Sequence, residues 1–175
     1  MLKKFTVGNF LSFHHHQTFT MDSANGLRVI KTPSSSLNQF SALFGEHKED
    51  IFHAIEYAAH TIIYGIKGEN IALYSPADSG NSNIPTSFDF EICINNNTYS
   101  IGFEIDTTRN EIVEQLLIDV EKGKKEILLY TNTVTGNYTF KESLFSEKEF
   151  ISIIKNRETQ SLIIGDTING KLSLK

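Results

Sequence analysis

The chain has 175 residues, of which 39% are hydrophobic and 21% charged, with a formal net charge of -5. That length suits a single domain with a sizeable core, and the acid excess argues against a broad nucleic-acid surface while leaving room for a local basic patch. The one cysteine, Cys93, excludes an internal disulfide and suits a reducing compartment. No apolar run approaches the roughly 20 residues that span a bilayer, so a cytoplasmic location and no membrane partner are expected.

The first strand is read from Leu2 to Phe10, where Leu2, Phe5, Val7 and Phe10 are mixed with Lys3, Lys4 and Thr6. Gly8-Asn9 reads as a bulge or turn, and His14-His15-His16 as a polar turn. Adjacent strand residues point to opposite faces, so the three histidines do not converge on one metal. Thr18–Met21 and Leu27–Ile30 read as two short strands, and the serine-rich stretch Thr32–Asn38 reads as a loop.

Ser41 to Ala58 organises the front of the chain. Leu43 and Phe44 suggest a buried strand, Gly45 a turn, and the residues from Glu49 a helix. Ile51, Ile55, Ala58, Ala59, Ile62 and Ile63 recur at helical spacing, and Tyr64-Gly65 ends the run. Strand, turn and helix in that order are the layout of a P-loop. Its chemistry needs G-x-x-x-x-G-K-[ST], with backbone N–H groups and a lysine around phosphate and a hydroxyl on the metal. Counted from Gly45, the second glycine is Asp50, the lysine is Ile51 and the hydroxyl residue is Phe52. Glu49 and Asp50 bring negative charge to the positive end of the helix, where phosphate would otherwise sit. Lys48 is the one cation of the loop, and it stands three positions early. His53 and His60 read as solvated or satisfied locally, and not as ligands, since no carboxylate or thiol completes a site.

Tyr74–Pro85 is the most loop-like stretch and separates a βα front section, residues 1–74, from an all-β section, residues 87–145. In the latter, Phe88, Phe90, Ile92 and Ile94 alternate with polar residues, as do Tyr99, Ile101, Phe103 and Ile105. Asn95–Asn97 and Thr107–Asn110 read as turns, because asparagine tolerates left-handed backbone. Ile112–Val120 reads as a strand with Leu116, Ile118 and Val120 on one face. Ile127–Tyr130 and Tyr138–Phe140 complete an antiparallel meander with one solvated face. The turn between the third and fourth of these strands carries Lys122, Lys124 and Lys125, a small basic patch. Ser146 and Glu149 form a capping box that starts a helix with Phe150, Ile153 and Ile154 on its apolar side. Leu162–Gly165 is a short apolar run in the closing section, residues 146–175.

The opening Met1–Phe13, with Asn9-Phe10-Leu11-Ser12-Phe13, resembles the start of AAA family ATPases of the ABC/SMC-like and OLD-like type, found in phage-defence and abortive-infection systems. Their first strand typically ends in N-F-R-S-F. Ala42–Gly45 with its following helix, and the meander after it, are similar to that family in the same order. The resemblance implies an α+β fold: an ABC-ATPase-like half, with a mixed or antiparallel sheet, one main helix after a P-loop-like turn, an antiparallel β-meander and a C-terminal helix. It departs from the family at Leu11, where the arginine stands, and at the P-loop. A Walker B run is also missing from these residues: Leu162-Ile163-Ile164-Gly165-Asp166 comes nearest, but Thr167 follows in place of a second carboxylate.

Phosphoryl transfer works by positioned cations and a water-orienting group, so ATP hydrolysis by this chain alone is not expected. The expected function is that of a non-catalytic ATPase-like protein, needing no cofactor and acting by binding a protein, either itself or a full-length ATPase or effector. Two alternatives stay open. In one, Gly45, His47 and Lys48 form a shifted phosphate loop for ATP and magnesium, with His47 as base. In the other, Lys122, Lys124 and Lys125 with exposed aromatics bind nucleic acid.

Overall fold

The computed structural model describes residues 1–22, 29–31, 36–38, 47–66, 83–121, 124–156 and 159–168. In chain order the elements are β1 (Leu2–Gly8), β2 (Gln17–Thr20), β3 (Val29–Lys31), β4 (Ser36–Asn38), α1 (Lys48–Tyr64), β5 (Thr86–Ile94), β6 (Asn97–Asp106), β7 (Glu111–Glu121), β8 (Lys124–Asn132), β9 (Asn137–Phe140), α2 (Glu147–Asn156) and α3 (Ile163–Ile168). The fold is α+β. Seven strands form one sheet in the order β2-β1-β5-β6-β7-β8-β9, with every pairing antiparallel.

The front section and the meander share one sheet, since Phe5 pairs with Phe90 and Val7 with Phe88, which joins β1 to β5. Two expectations are corrected. The serine-rich stretch is not all loop: Ser36–Asn38 pairs with Val29–Lys31 as a two-stranded ribbon. The chain closes with two helices where one was expected, since the apolar run from Leu162 opens α3. The strand expected at Leu43-Phe44, with Gly45, Lys122 and most of Tyr74–Pro85, lies outside the described residues.

Local chemistry sets the turns. Asn95 and Asn96 have φ of 50° and 69°, the paired left-handed residues of a two-residue hairpin. The Asp106 carboxylate accepts hydrogen bonds from the Thr108 hydroxyl (2.6 Å) and from the backbone N–H groups of Thr108 (2.9 Å) and Arg109 (3.1 Å). That set holds its pKa below the ordinary carboxylate value, the Thr108 hydroxyl contributing most. Asn132 Oδ1 does the same work for the β8–β9 turn, taking N–H bonds from Val134 and Thr135.

Alternation along the strands sorts the two faces. The inner face carries Phe5, Val7, Phe88, Phe90, Ile101, Phe103 and Ile105, all buried. Helix α1 lays Ile51, Ala54, Tyr57, Ala58 and Ile62 against it. Phe10 joins them, its ring 5.3 Å from Tyr57 and 5.1 Å from Phe88. Each buried phenylalanine of this cluster contributes about 1.5–3 kcal/mol over an exposed one. A second cluster puts Phe150 of α2 on Phe140, Phe145 and Leu129.

Helix α3 locks the two clusters together. Its first N–H, from Ile163, donates to the buried Gln115 Oε1 (2.9 Å). Gly165 abuts the end of α1 so closely that a Cβ there would lie 1.9 Å from the Ile62 carbonyl oxygen. Gly65, in the left-handed region at φ 79°, turns the chain out of α1 beside Gln160.

Candidate functional site

The first turn of α1 is where a phosphate would bind if the P-loop reading held in full. The turn begins at His47, which is exposed, left-handed at φ 57°, and makes no side-chain cap. The Asp50 N–H donates to the His47 carbonyl (3.1 Å), and Asp50 Oδ2 lies 4.0 Å from His47 Nδ1. Lys48 projects to solvent with its Nζ 3.6 Å from Glu49 Oε1. Hydrogen bonding to its own backbone N–H, and then the Lys48 charge, lower the Glu49 pKa. Two carboxylates therefore occupy the positive end of the helix dipole.

The two following positions diverge. Ile51 is 7% exposed and packs on the sheet, whereas Phe52 is 62% exposed. Helical spacing directs position 51 into the core, where a lysine ammonium would be desolvated, and position 52 into water. The described residues of this turn thus bring together His47, Lys48 and Asp50, with apolar Ile51 and Phe52 at the positions where a P-loop has its lysine and its hydroxyl. Leu11, at the arginine position of N-F-R-S-F, sits at φ 48° and packs against the apolar cluster.

The basic patch fares differently. Lys124 and Lys125 are both exposed at the start of β8, paired with Glu121 and Val120. The outer sheet face beside them carries Asp89, Glu91, Glu104 and Glu114, and its aromatic residue Tyr130 donates its hydroxyl to Glu114 Oε2 (3.3 Å). Carboxylates around the aromatic ring repel a phosphate backbone.

That outer face holds a cleft the sequence reading did not single out. About 180 Å³ in volume, it is lined by His16, Ser87, Asp89, Glu104 and Glu114 over Gly102. Register makes it: Ser87 stands opposite Glu104, Glu104 opposite Glu114, and Asp89 opposite Gly102. The Phe10–Phe13 turn folds the chain back so that His16 Nε2 lies 2.9 Å from Ser87 Oγ. Burial raises the Glu104 pKa, and the facing Glu114 raises it further. Burial also raises that of Asp89, against the hydrogen bond its carboxylate accepts from Ser100 Oγ (2.9 Å). A serine beside an imidazole is the start of a nucleophile–base pair, but among the described residues no carboxylate hydrogen-bonds the other ring nitrogen. Nor, among the described residues, do three or more His, Cys, Asp or Glu side chains converge as metal ligands. The sequence signal for this cleft was the polar half of each alternating strand with a glycine at its middle. The 71-residue separation of His16 from Ser87 hid the rest.

No helix among the described residues is long and apolar enough to cross a membrane. Set against known proteins, the sequence matches no family model, and no curated protein matches it.

Proposed function

We propose that this chain is a non-catalytic ATPase-like protein that acts by binding another protein, either a second copy or a full-length ATPase or effector of a phage-defence system. One observation carries the reading. Where a phosphate loop presents lysine and a hydroxyl, α1 buries Ile51 and exposes Phe52, behind a first turn bearing Glu49 and Asp50. A helix start so built attracts no triphosphate, and the scaffold is left to act through its surfaces. The chain, on this reading, works in the cytoplasm and needs no cofactor. A phosphate-release assay with ATP and magnesium tests it: release should stay at background. Turnover that disappears in Lys48→Ala would favour the shifted loop of Gly45, His47 and Lys48 instead.

A further inference from the structure

We propose that the cavity between the sheet and α3 binds a small neutral amphiphile, an aliphatic chain ending in one uncharged oxygen, with that oxygen held by Gln115 and Thr131. The inference goes beyond the reading above and uses none of the residues at the start of α1. The cavity has a volume of about 250 Å³. Leu117 of β7, Leu129 of β8, Leu144 and Phe145 before α2, and Ile163 and Ile164 of α3 form most of its wall. Among the described residues that line it, only Tyr99 brings a polar side-chain atom. A bulge in β8 shapes the space. Leu117 pairs with Leu129 and Ile118 with Ile127, so Leu128 is the extra residue, and both Leu128 and Leu129 line the cavity. Protein interiors are close-packed, so unfilled apolar space of this size is a loss to the fold unless a ligand recovers the contacts. A dry cavity of about 150 Å³ takes benzene, which scales to about ten heavy atoms here.

Two buried polar groups choose the chemistry. Gln115 and Thr131 stand opposite each other on β7 and β8, as the next inward-facing pair beyond Leu117 and Leu129. Both are 2% exposed, and among the described residues neither Gln115 Nε2 nor Thr131 Oγ1 has a hydrogen-bond partner. The N–H of Ile163, a wall residue, donates to Gln115 Oε1 (2.9 Å). That bond ties the carboxamide to the cavity wall and identifies its other atom as the donor nitrogen. An unpaired donor beside an unpaired hydroxyl calls for an acceptor oxygen, which an alcohol or a carbonyl supplies. Charge excludes a carboxylate head. Among the described residues no Lys, Arg or His lines the cavity, and the next inward position on β7 in the other direction is Asp119, opposite Tyr99. A carboxylate bound there would have no cation to pair with and a like charge nearby.

Calorimetric titration of the full chain with n-octanol is the test. Saturable one-to-one binding with a dissociation constant on the order of 100 µM is expected. The alcohol n-hexanol, two methylenes shorter, should bind about 10-fold more weakly, and octanoate at about pH 8 should not bind. Thr131→Val keeps the side-chain shape and removes the hydroxyl. It should weaken octanol binding about 5-fold while leaving the melting midpoint unchanged or raised, because an unpaired buried hydroxyl goes with it. Leu144→Trp puts an indole into the cavity and should weaken binding by about 10-fold or more. Circular dichroism confirms that each variant is folded. Heat that does not saturate, octanoate bound as tightly as octanol, or binding indifferent to Thr131→Val or to Leu144→Trp, overturns the proposal. ATP titration separates the two ideas: a chain that binds both ATP and octanol sinks the proposed function and keeps the cavity site, while one that binds neither does the reverse.

Discussion

Helices α1 and α2 both lay an apolar side on the same face of one sheet, yet their first turns are built differently. At α2 the Ser146 N–H donates to Glu149 Oε2 (2.8 Å), the Ser146 hydroxyl donates to the same carboxylate, and the Glu149 N–H returns to Ser146 Oγ (3.4 Å). Its free donors are answered by a reciprocal side-chain pair. At α1 the His47 side chain makes no cap, and the chain enters through its left-handed backbone. One start is closed by a local motif. The other brings Glu49 and Asp50 to its first turn, which discourages an anion from taking the place of a cap.

The contrast can be broken at its most expensive point by Ile51→Lys, which places a lysine at the position where a P-loop requires one. Because position 51 faces the core, an unpaired ammonium there should cost about 3–5 kcal/mol, read as a fall in the denaturation midpoint. Gly165→Ala asks whether the difference is confined to the first turn, since the far end of α1 is held tightly. The 1.9 Å approach to the Ile62 carbonyl should make it lose about 1–3 kcal/mol in chemical denaturation. Ser146→Ala removes the α2 cap and should cost about 1 kcal/mol. A cap-free α1 has no counterpart residue to lose.

The smallest effect is on the other side of the sheet and depends on pH. Glu104 and Asp89 have raised pKa values in the folded chain, so the folded state holds their protons more tightly than the unfolded state does. Their contribution is fully present below the ordinary carboxylate range and is lost as pH rises through the raised folded values. Glu104→Gln also removes one of two directly opposed like charges. It should stabilise the chain at neutral pH by a few tenths to about 1 kcal/mol, with no gain at about pH 3. Thermal melts at the two pH values check the sign.

Much of this architecture was legible in local pattern. Two-residue alternation marked β5 and β6, the asparagines marked their turn, Ser146 and Glu149 marked the start of α2, and the recurrence of Ile51, Ala58 and Ile62 marked α1 and the side it buries. What was not legible depends on distant partners. Nothing near Leu2–Gly8 announces that it will pair with residues some eighty positions on, because periodicity gives a strand its face and not its neighbour. Ser36–Asn38 has no strand composition of its own and is paired by Val29–Lys31. The short apolar run at Leu162 fits helix or strand equally, and contacts with Gln115 and the end of α1 settle it. At the candidate site, spacing was enough to direct Ile51 inward. The left-handed backbone of His47 and the fold-back that brings His16 to Ser87 had no such local signal.

Calorimetric titration of the full chain with ATP and magnesium tests most directly whether the start of α1 binds phosphate. The account predicts no binding heat at concentrations up to about 1 mM, the range of an affinity near -4 kcal/mol. Sub-millimolar binding that vanishes in Lys48→Ala would contradict it.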